Sequence, residues 1–219
     1  MPSAKKLRPG KRFRLRLYER LFAMLRWPAF LLAISAYVLW WIAPDYPILS
    51  TGRDFLLIIV VISGVLWVAG LIAPALCYVQ CRADYVLIST PVYRLSISYS
   101  RIGGVAAVNF GQKYPFRRQK WSQRRFLEPL FLEQRTGQLT VVAVWVKQYP
   151  LPLRWLKLWF NDYMFAPDAP GFLFMVGDWM ALSRQIDDYR DAWRERRYGK
   201  KMREASAAIR ILTKGDKRR

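Results

Sequence analysis

Two stretches of the sequence carry no charged residue, and they constrain the fold more than any other feature. They are Trp27–Pro44 and Phe55–Cys81. A helix needs about 20 apolar residues to cross the hydrocarbon core of a bilayer. The first stretch is just long enough if Leu21 and Phe22 extend it, and the second would be about 40 Å long at 1.5 Å per residue. The sequence therefore predicts two transmembrane helices, the second leaving the bilayer after Pro74.

The charges around these stretches predict the orientation of the helices. Residues 1–26 carry nine Lys or Arg and one acid, whereas the connection 44–54 carries Arg53 against Asp45 and Asp54. Because cytoplasmic loops are enriched in Lys and Arg, we expect a multi-pass protein of the inner (cytoplasmic) cell membrane with both termini in the cytoplasm. The alternative is two buried helices in a soluble core. It is disfavoured because a chain of this size has too little other surface to cover them.

Residues inside and just after the predicted spans narrow the function further. Small residues recur at helical spacing, as in Ala29 with Ala33 and Ala69 with Ala73, and small residues let helices approach closely in lipid. Neither span contains an ionisable residue, which argues against a transporter or pump, although an oligomeric pore stays open.

The chain has two cysteines, Cys77 and Cys81, and both fall at the predicted cytoplasmic end of the second span. The cytoplasm is reducing, so a disulfide is not expected. Two cysteines in a chain without histidine make a poor metal site. Two interpretations remain: small apolar residues at a helix end, or sites of palmitoylation.

After Arg82 the pattern becomes that of short strands. Residues 93–99 alternate between apolar and polar side chains, which is typical of a half-buried strand. Further strands are predicted at 84–90, at 104–110, on both sides of a turn at 135–138 within 129–146, and at 171–176. Several short strands at close spacing indicate a small barrel or sandwich.

The period changes after Asp178, a plausible N-cap. Large apolar residues then recur every three or four positions, which predicts an amphipathic helix that packs on the sheet and stops near Gly199. This stripe, which we expect to belong to the core, is formed by Trp179, Leu182, Ile186, Tyr189 and Trp193.

The segments 83–108 ("ADYVLISTPVYRLSISYSRIGGVAAV") and 171–193 ("GFLFMVGDWMALSRQIDDYRDAW") resemble the opening and the end of a bacterial pleckstrin-homology-like (PH-like) domain. The resemblance covers roughly 82–198 and implies a partly open seven-strand barrel capped by the helix. Lipid-binding eukaryotic members cluster basic residues between the first two strands. That turn is short here and offers only Arg94, which argues against inositol-phosphate recognition.

The predicted fold class is therefore α+β. An N-terminal transmembrane helical hairpin precedes a small antiparallel β-barrel that is capped by a C-terminal amphipathic helix. The expected divisions are a basic cytoplasmic segment (1–26), the membrane hairpin (27–81), the PH-like domain (82–198) and a basic tail (199–219).

A basic and aromatic segment, Gly111–Phe126, is the candidate contact with an anionic surface. It holds six Lys or Arg and four aromatic residues but no acid. Near an anionic leaflet each cation could contribute about 1 kcal/mol before screening. The four aromatic residues that could lie at headgroup level are Tyr114, Phe116, Trp121 and Phe126. The alternatives are a solvated loop with its aromatic rings packed on the barrel, and, less favoured, single-stranded nucleic acid. The predicted contact residues are Lys113, Arg117, Arg118, Lys120, Trp121, Arg124 and Arg125.

A second apolar segment, Tyr149–Phe165, is too short to span a bilayer. It carries Arg154 and Lys157 among large apolar side chains. It could form an interfacial helix or a loop folded over the barrel, or it could be buried in the core.

Residues for catalysis are hard to find in this sequence. There is no histidine, no phosphate-binding loop motif, and no Ser or Cys with a recognisable activating base. We expect a non-catalytic, membrane-anchored binding module without metal or cofactor. Its expected partners are the membrane itself, anionic phospholipid headgroups, and membrane proteins or copies of itself. The alternatives are an assembly subunit that recruits a protein through a free strand edge and, less favoured, a membrane-tethered nucleic-acid binder.

Overall fold

A computed structural model of the chain describes residues 9–45, 52–115, 119, 121, 126–128, 130 and 139–216, with backbone only at 45 and 200–216. The helices are α1 (Arg16–Ile42), α2 (Arg53–Leu76), α3 (Phe110–Lys113), α4 (Leu153–Trp159) and α5 (Trp179–Asp216). The strands are β1 (Arg12–Arg14), β2 (Tyr78–Cys81), β3 (Tyr85–Ser89), β4 (Arg94–Ser98), β5 (Ile102–Asn109), β6 (Thr140–Val146) and β7 (Gly171–Phe174). The molecule is thus α+β, with two apolar N-terminal helices and two antiparallel sheets.

The helices α1 and α2 are both long and apolar enough to cross a membrane. Their exposed apolar side chains run from Leu21 to Ile42 in α1 and from Phe55 to Leu76 in α2. Each run is about 33 Å long at 1.5 Å per residue, close to the thickness of about 30 Å for a hydrocarbon core. We call this surface the apolar belt. Its dimensions support the prediction of a membrane protein.

Small residues line the contact between α1 and α2. Ala29, Ser63, Gly70 and Ala73 are buried there, and a Cβ atom added at Gly70 would lie 3.4 Å from the Cβ of Arg26. Small side chains allow such close approach of two helices in lipid. Of the small residues singled out in the sequence, Ala29 and Ala73 are therefore buried in this way.

The first sheet has the strand order β1-β2-β3-β4. In β1, Arg14 pairs with Tyr78 of β2, and the backbone N–H of Leu15 donates to the carbonyl of Cys77 at 3.1 Å. The sheet therefore contains one strand that precedes the α1–α2 hairpin and three that follow it. Strand β1 belongs to the predicted segment 1–26 and β2 to the predicted segment 27–81, so the folded domain includes parts of both. Both ends of the hairpin lie on one side of any bilayer that the helices cross.

The second sheet has the order β5-β6-β7. Five predicted strands, β3 to β7, are present near their expected bounds. A strand was also expected to begin at residue 129, but Leu130 is helical. Residues 131–138, which would form the rest of that strand and the turn after it, lie outside the described part of the chain.

The two sheets pack around a common core, and the described residues do not form a closed barrel. The backbone N–H of Arg16 donates to the carbonyl of Met175 at 2.9 Å, which connects the region after β1 to the end of β7. Helix α5 covers the core with Leu182 and Ile186 fully buried, as its stripe predicts. It continues through Gly199, where a stop was expected, because one Gly inside a helix costs only about 1 kcal/mol.

We predict that Phe13→Ala lowers the free energy of unfolding by about 3–5 kcal/mol, the usual cost of removing a buried phenyl ring. Phe13 is the buried residue of β1 between two exposed arginines. Denaturant unfolding in nanodiscs measures the change, and Arg14→Ala in the same strand is the control. If the two variants had the same free energy of unfolding, the buried side chain of β1 would not be needed for the stability of the domain.

We also predict that a chain in which a short Gly/Ser linker joins Arg16 to Cys77 folds as a soluble domain, because the pairing of β1 with β2 already brings these ends together. A fragment that begins at Arg82 lacks both strands and leaves β3 as an uncovered edge, so it should be poorly folded. Amide NMR dispersion compares the two proteins. A well-dispersed spectrum from the shorter fragment would contradict this account.

Candidate membrane-contact site

Two of the seven residues predicted to contact an anionic surface, Lys113 and Trp121, are described. Lys113 ends α3, where its ammonium group pairs with the carboxylate of Asp168 and lies 5.6 Å from the Trp145 ring. Trp121 is 73% exposed. The charge of Lys113 is thus already compensated within the fold. Five predicted residues lie outside the described residues: Arg117, Arg118, Lys120, Arg124 and Arg125.

The neighbouring aromatic residues Tyr114 and Phe126 pack on the domain. This agrees with the alternative in which the aromatic rings of the segment pack on the fold. Tyr114 stacks on Phe110 with ring centroids 4.9 Å apart, and its hydroxyl donates to the carbonyl of Phe165 at 2.7 Å. Burial raises the pKa of Tyr114 to about 12. Phe126 is half-buried against the core, and Phe116 lies outside the described residues. Neither Tyr114 nor Phe126 is available as a headgroup anchor.

Between α3 and α4 lies an open cleft of about 660 Å³. Among the described residues that line it, the cations are Lys113 and Lys157, and each has an acidic partner. Lys113 pairs with Asp168, and the ammonium group of Lys157 lies 3.1 Å from a carboxylate oxygen of Asp162. Because its charges are balanced, this cleft is not the best candidate for an anion site.

Some residues of the segment 149–165 are buried and others are exposed. Burial in the core and an exposed apolar surface were both expected for it, and each is found for part of the segment. On one face of α4, Leu156 is fully buried, and Phe160 follows it into the core. On the other face, Trp155 is 48% exposed and Leu158 is 68% exposed. Short amphipathic helices of this kind are typical of surfaces that meet an apolar environment.

Another exposed apolar residue, outside α4, lies close to this helix. Val92, in the turn between β3 and β4, is 75% exposed. Its neighbour Tyr93 stacks on Trp159 of α4 with ring centroids 5.7 Å apart. The turn and α4 therefore form one surface, which we call the apolar patch: Val92, Leu153, Trp155 and Leu158. The exposed cations Arg154 and Lys157 lie within it.

Contacts with α1 place the apolar patch beside the apolar belt. The backbone N–H of Asn161, just after α4, donates to the hydroxyl of Tyr18 at 3.1 Å. Tyr18 lies three residues before Leu21, where the belt begins, a distance of about 4.5 Å along the helix axis. The sheet register agrees, since Ser89 pairs with Tyr78 directly after α2 and with Arg94 after the Val92 turn.

An apolar surface with cations on it, adjoining a belt that fits a bilayer, can adsorb to headgroups and bury its rings at the acyl boundary. Lys and Arg side chains can keep their charged ends in the headgroup layer while their stems cover apolar surface. The sequence indicated α4 but gave no signal for Val92, because only the fold brings the β3–β4 turn beside it.

Both cysteines are fully buried and free. Cys81 lies in β2, where burial raises the pKa of its thiol to about 12. At neutral pH the thiol is therefore protonated, and the thiolate that reacts with electrophiles is scarce. This argues against the palmitoylation interpretation.

We predict that neither cysteine reacts with a maleimide in the folded protein at pH 7, and that both react after denaturation. Intact-protein mass spectrometry counts the labels. Between pH 7 and 9 the folded protein should stay unlabelled, because the raised pKa lies above this range, whereas an exposed thiol of ordinary pKa near 8.5 would become reactive. Rapid labelling of the native protein would contradict the burial.

No family model, no curated protein and no solved structure matches this chain, so the function is inferred from its own geometry.

Proposed function

We propose that the chain is a membrane-anchored, non-catalytic binding module whose domain lies at the cytoplasmic face and contacts anionic phospholipid headgroups through the apolar patch. The helices α1 and α2 are the anchor. The positively charged N-terminal segment favours a cytoplasmic location for both termini. In this proposal α4 takes the place of the segment 111–126 as the main lipid contact.

The observation that carries the proposal is the attachment of α4 to the base of α1. The hydrogen bond between Asn161 and Tyr18 joins the end of the α4 segment to α1, three residues before the apolar belt begins, and Trp155 and Leu158 of α4 are exposed. Without a neighbouring bilayer, these large apolar side chains would face water. With one, each transfers apolar surface into the interface at about 25 cal/mol per Å².

Charge supports the choice of an anionic leaflet. The chain has a formal net charge of +21, and each cation near an anionic surface contributes about 1 kcal/mol. Arg154 carries its charge on the exposed face of α4, whereas Lys157 has Asp162 as a partner and contributes less. Because the anchor already holds the domain at the membrane, this attraction would set the orientation of the domain.

We propose, from the resemblance of the sequence, that the domain is PH-like in architecture. Seven described strands form sheets of four and three, and an amphipathic helix follows them. The first two strands differ from expectation, since β1 precedes the anchor and β2 follows it directly. The fold by itself assigns no ligand, so the apolar patch carries the functional argument.

We predict that a fluorophore on Leu158→Cys reports insertion. The chain is reconstituted in nanodiscs of zwitterionic lipid, with or without anionic phospholipid, and labelled with an environment-sensitive dye. The buried native cysteines stay unlabelled. Emission should shift to the blue in anionic nanodiscs, and the shift should shrink at 1 M salt, where the Debye length is about 3 Å.

Two controls make this experiment specific. A dye on Gln148→Cys, an exposed position away from α4, should show no lipid dependence. Arg154→Gln with Lys157→Gln should weaken the anionic preference at position 158, whereas Lys11→Gln with Arg184→Gln removes the same charge elsewhere and should not. If the dye at 158 behaves like the dye at 148 in both lipids, the apolar patch does not contact the membrane.

A further inference from the structure

A second cleft, of about 320 Å³, opens where α5 crosses the ends of two strands. Its walls come from the turn 99–103 before and at the start of β5, from Lys147 after β6, and from the part of α5 around Trp193. We call it the distal cleft. Its function does not follow from membrane contact, because it lies away from the apolar patch.

The sheet register shows where the distal cleft lies. Ser98 at the end of β4 pairs with Tyr85 at the start of β3, and this is the sheet end opposite to the one that α2 enters. On α5, Arg196 reaches the turn between β2 and β3, where its guanidinium binds the carbonyl of Ala83 and lies 3.5 Å from Asp84. The distal cleft therefore faces away from the apolar belt.

Three cations line the distal cleft: Lys147, Arg194 and Arg197. Among the described residues that line it, there is no Asp or Glu. Arg194 lies 3.5 Å from Asp191 on the same helix, with both side chains exposed, and it also interacts with Asp187; exposed pairs of this kind contribute little. In the cleft beside α4 both described cations have an acidic partner, whereas among the described residues no Asp or Glu lies within 4 Å of Lys147 or Arg197.

The positions of these cations are set by local contacts. The guanidinium of Arg197 lies over the Trp193 ring, 5.3 Å from its centroid, and Trp193 in turn lies against the buried Tyr99 with centroids 6.5 Å apart. The backbone N–H of Lys147 donates to the carbonyl of Arg101 at 2.8 Å. The cations thus surround an aromatic wall that is part of the fold.

We infer that the distal cleft binds a small, soluble ligand that carries a phosphate group. Arginine guanidinium groups bind phosphate oxygens with two parallel hydrogen bonds, and the hydroxyl of Ser100, which also lines the cleft, can donate another. Trp193 and the exposed Tyr198 offer flat surfaces for an organic ring. The volume is at the small end of the range for ligand sites, about 300–1,000 Å³.

Two sources could supply this phosphate, an inorganic anion or a nucleotide, and calorimetry on the full chain in zwitterionic nanodiscs distinguishes them. The probes are pyrophosphate, a nucleoside monophosphate and the matching nucleoside. Binding of both phosphate compounds but not of the nucleoside supports a phosphate site. Tighter binding of the nucleotide than of pyrophosphate assigns a role to the aromatic wall.

The double variant Lys147→Gln with Arg197→Gln should bind the phosphate compounds about tenfold more weakly or worse, because it removes two charge-assisted contacts. Lys11→Gln with Arg184→Gln removes the same charge outside the cleft and should bind within about twofold of the unchanged chain. The inference is overturned if no phosphate compound binds, if the nucleoside binds equally well, or if the two double variants are affected equally.

Discussion

The pairing of β1 with β2 is the interaction on which the rest of the structure depends. It joins residues that precede α1 to residues that follow α2, and it brings Leu15 and Cys77 within hydrogen-bonding distance. The two long helices consequently leave the sheet side by side, and their bases are held by the domain. The position of α4 follows from this, because Asn161 binds Tyr18 in the first turns of α1. Anchor, sheet and apolar patch form one connected structure.

The features that the sequence predicted well are those with a long and regular pattern. The uncharged stretches indicated α1 and α2, the alternation in 93–99 indicated β4, and the stripe from Trp179 indicated α5. The misplaced boundaries have physical reasons. All four residues of β2 are buried, so the strand lacks alternation and reads as a continuation of α2. In contrast, β1 does alternate, with Phe13 between two arginines, but its basic residues favoured a solvated segment.

The candidate site was predictable only in part, because a surface is formed by residues that are distant in the sequence. Composition drew attention to the segment 111–126, yet within it Lys113 pairs with Asp168 and the partly buried Tyr114 packs against the core. The acidic partner comes from a distant loop, which a local pattern does not reveal. The same holds for Val92, whose proximity to α4 depends on the stacking of Tyr93 on Trp159.

The split origin of the first sheet has a consequence for biogenesis. During synthesis β1 emerges first, and its partner strand is made only after both long helices have been completed. The sheet therefore has to wait for a contact between residues that are far apart in the chain, which is an intrinsically slow step. If the hairpin inserts in a membrane as proposed, its two ends become neighbours, and most of this search is removed. In the proposed membrane-anchored form, insertion would thus act as a template for folding of the domain, and we expect a chain that fails to insert to complete the sheet more slowly.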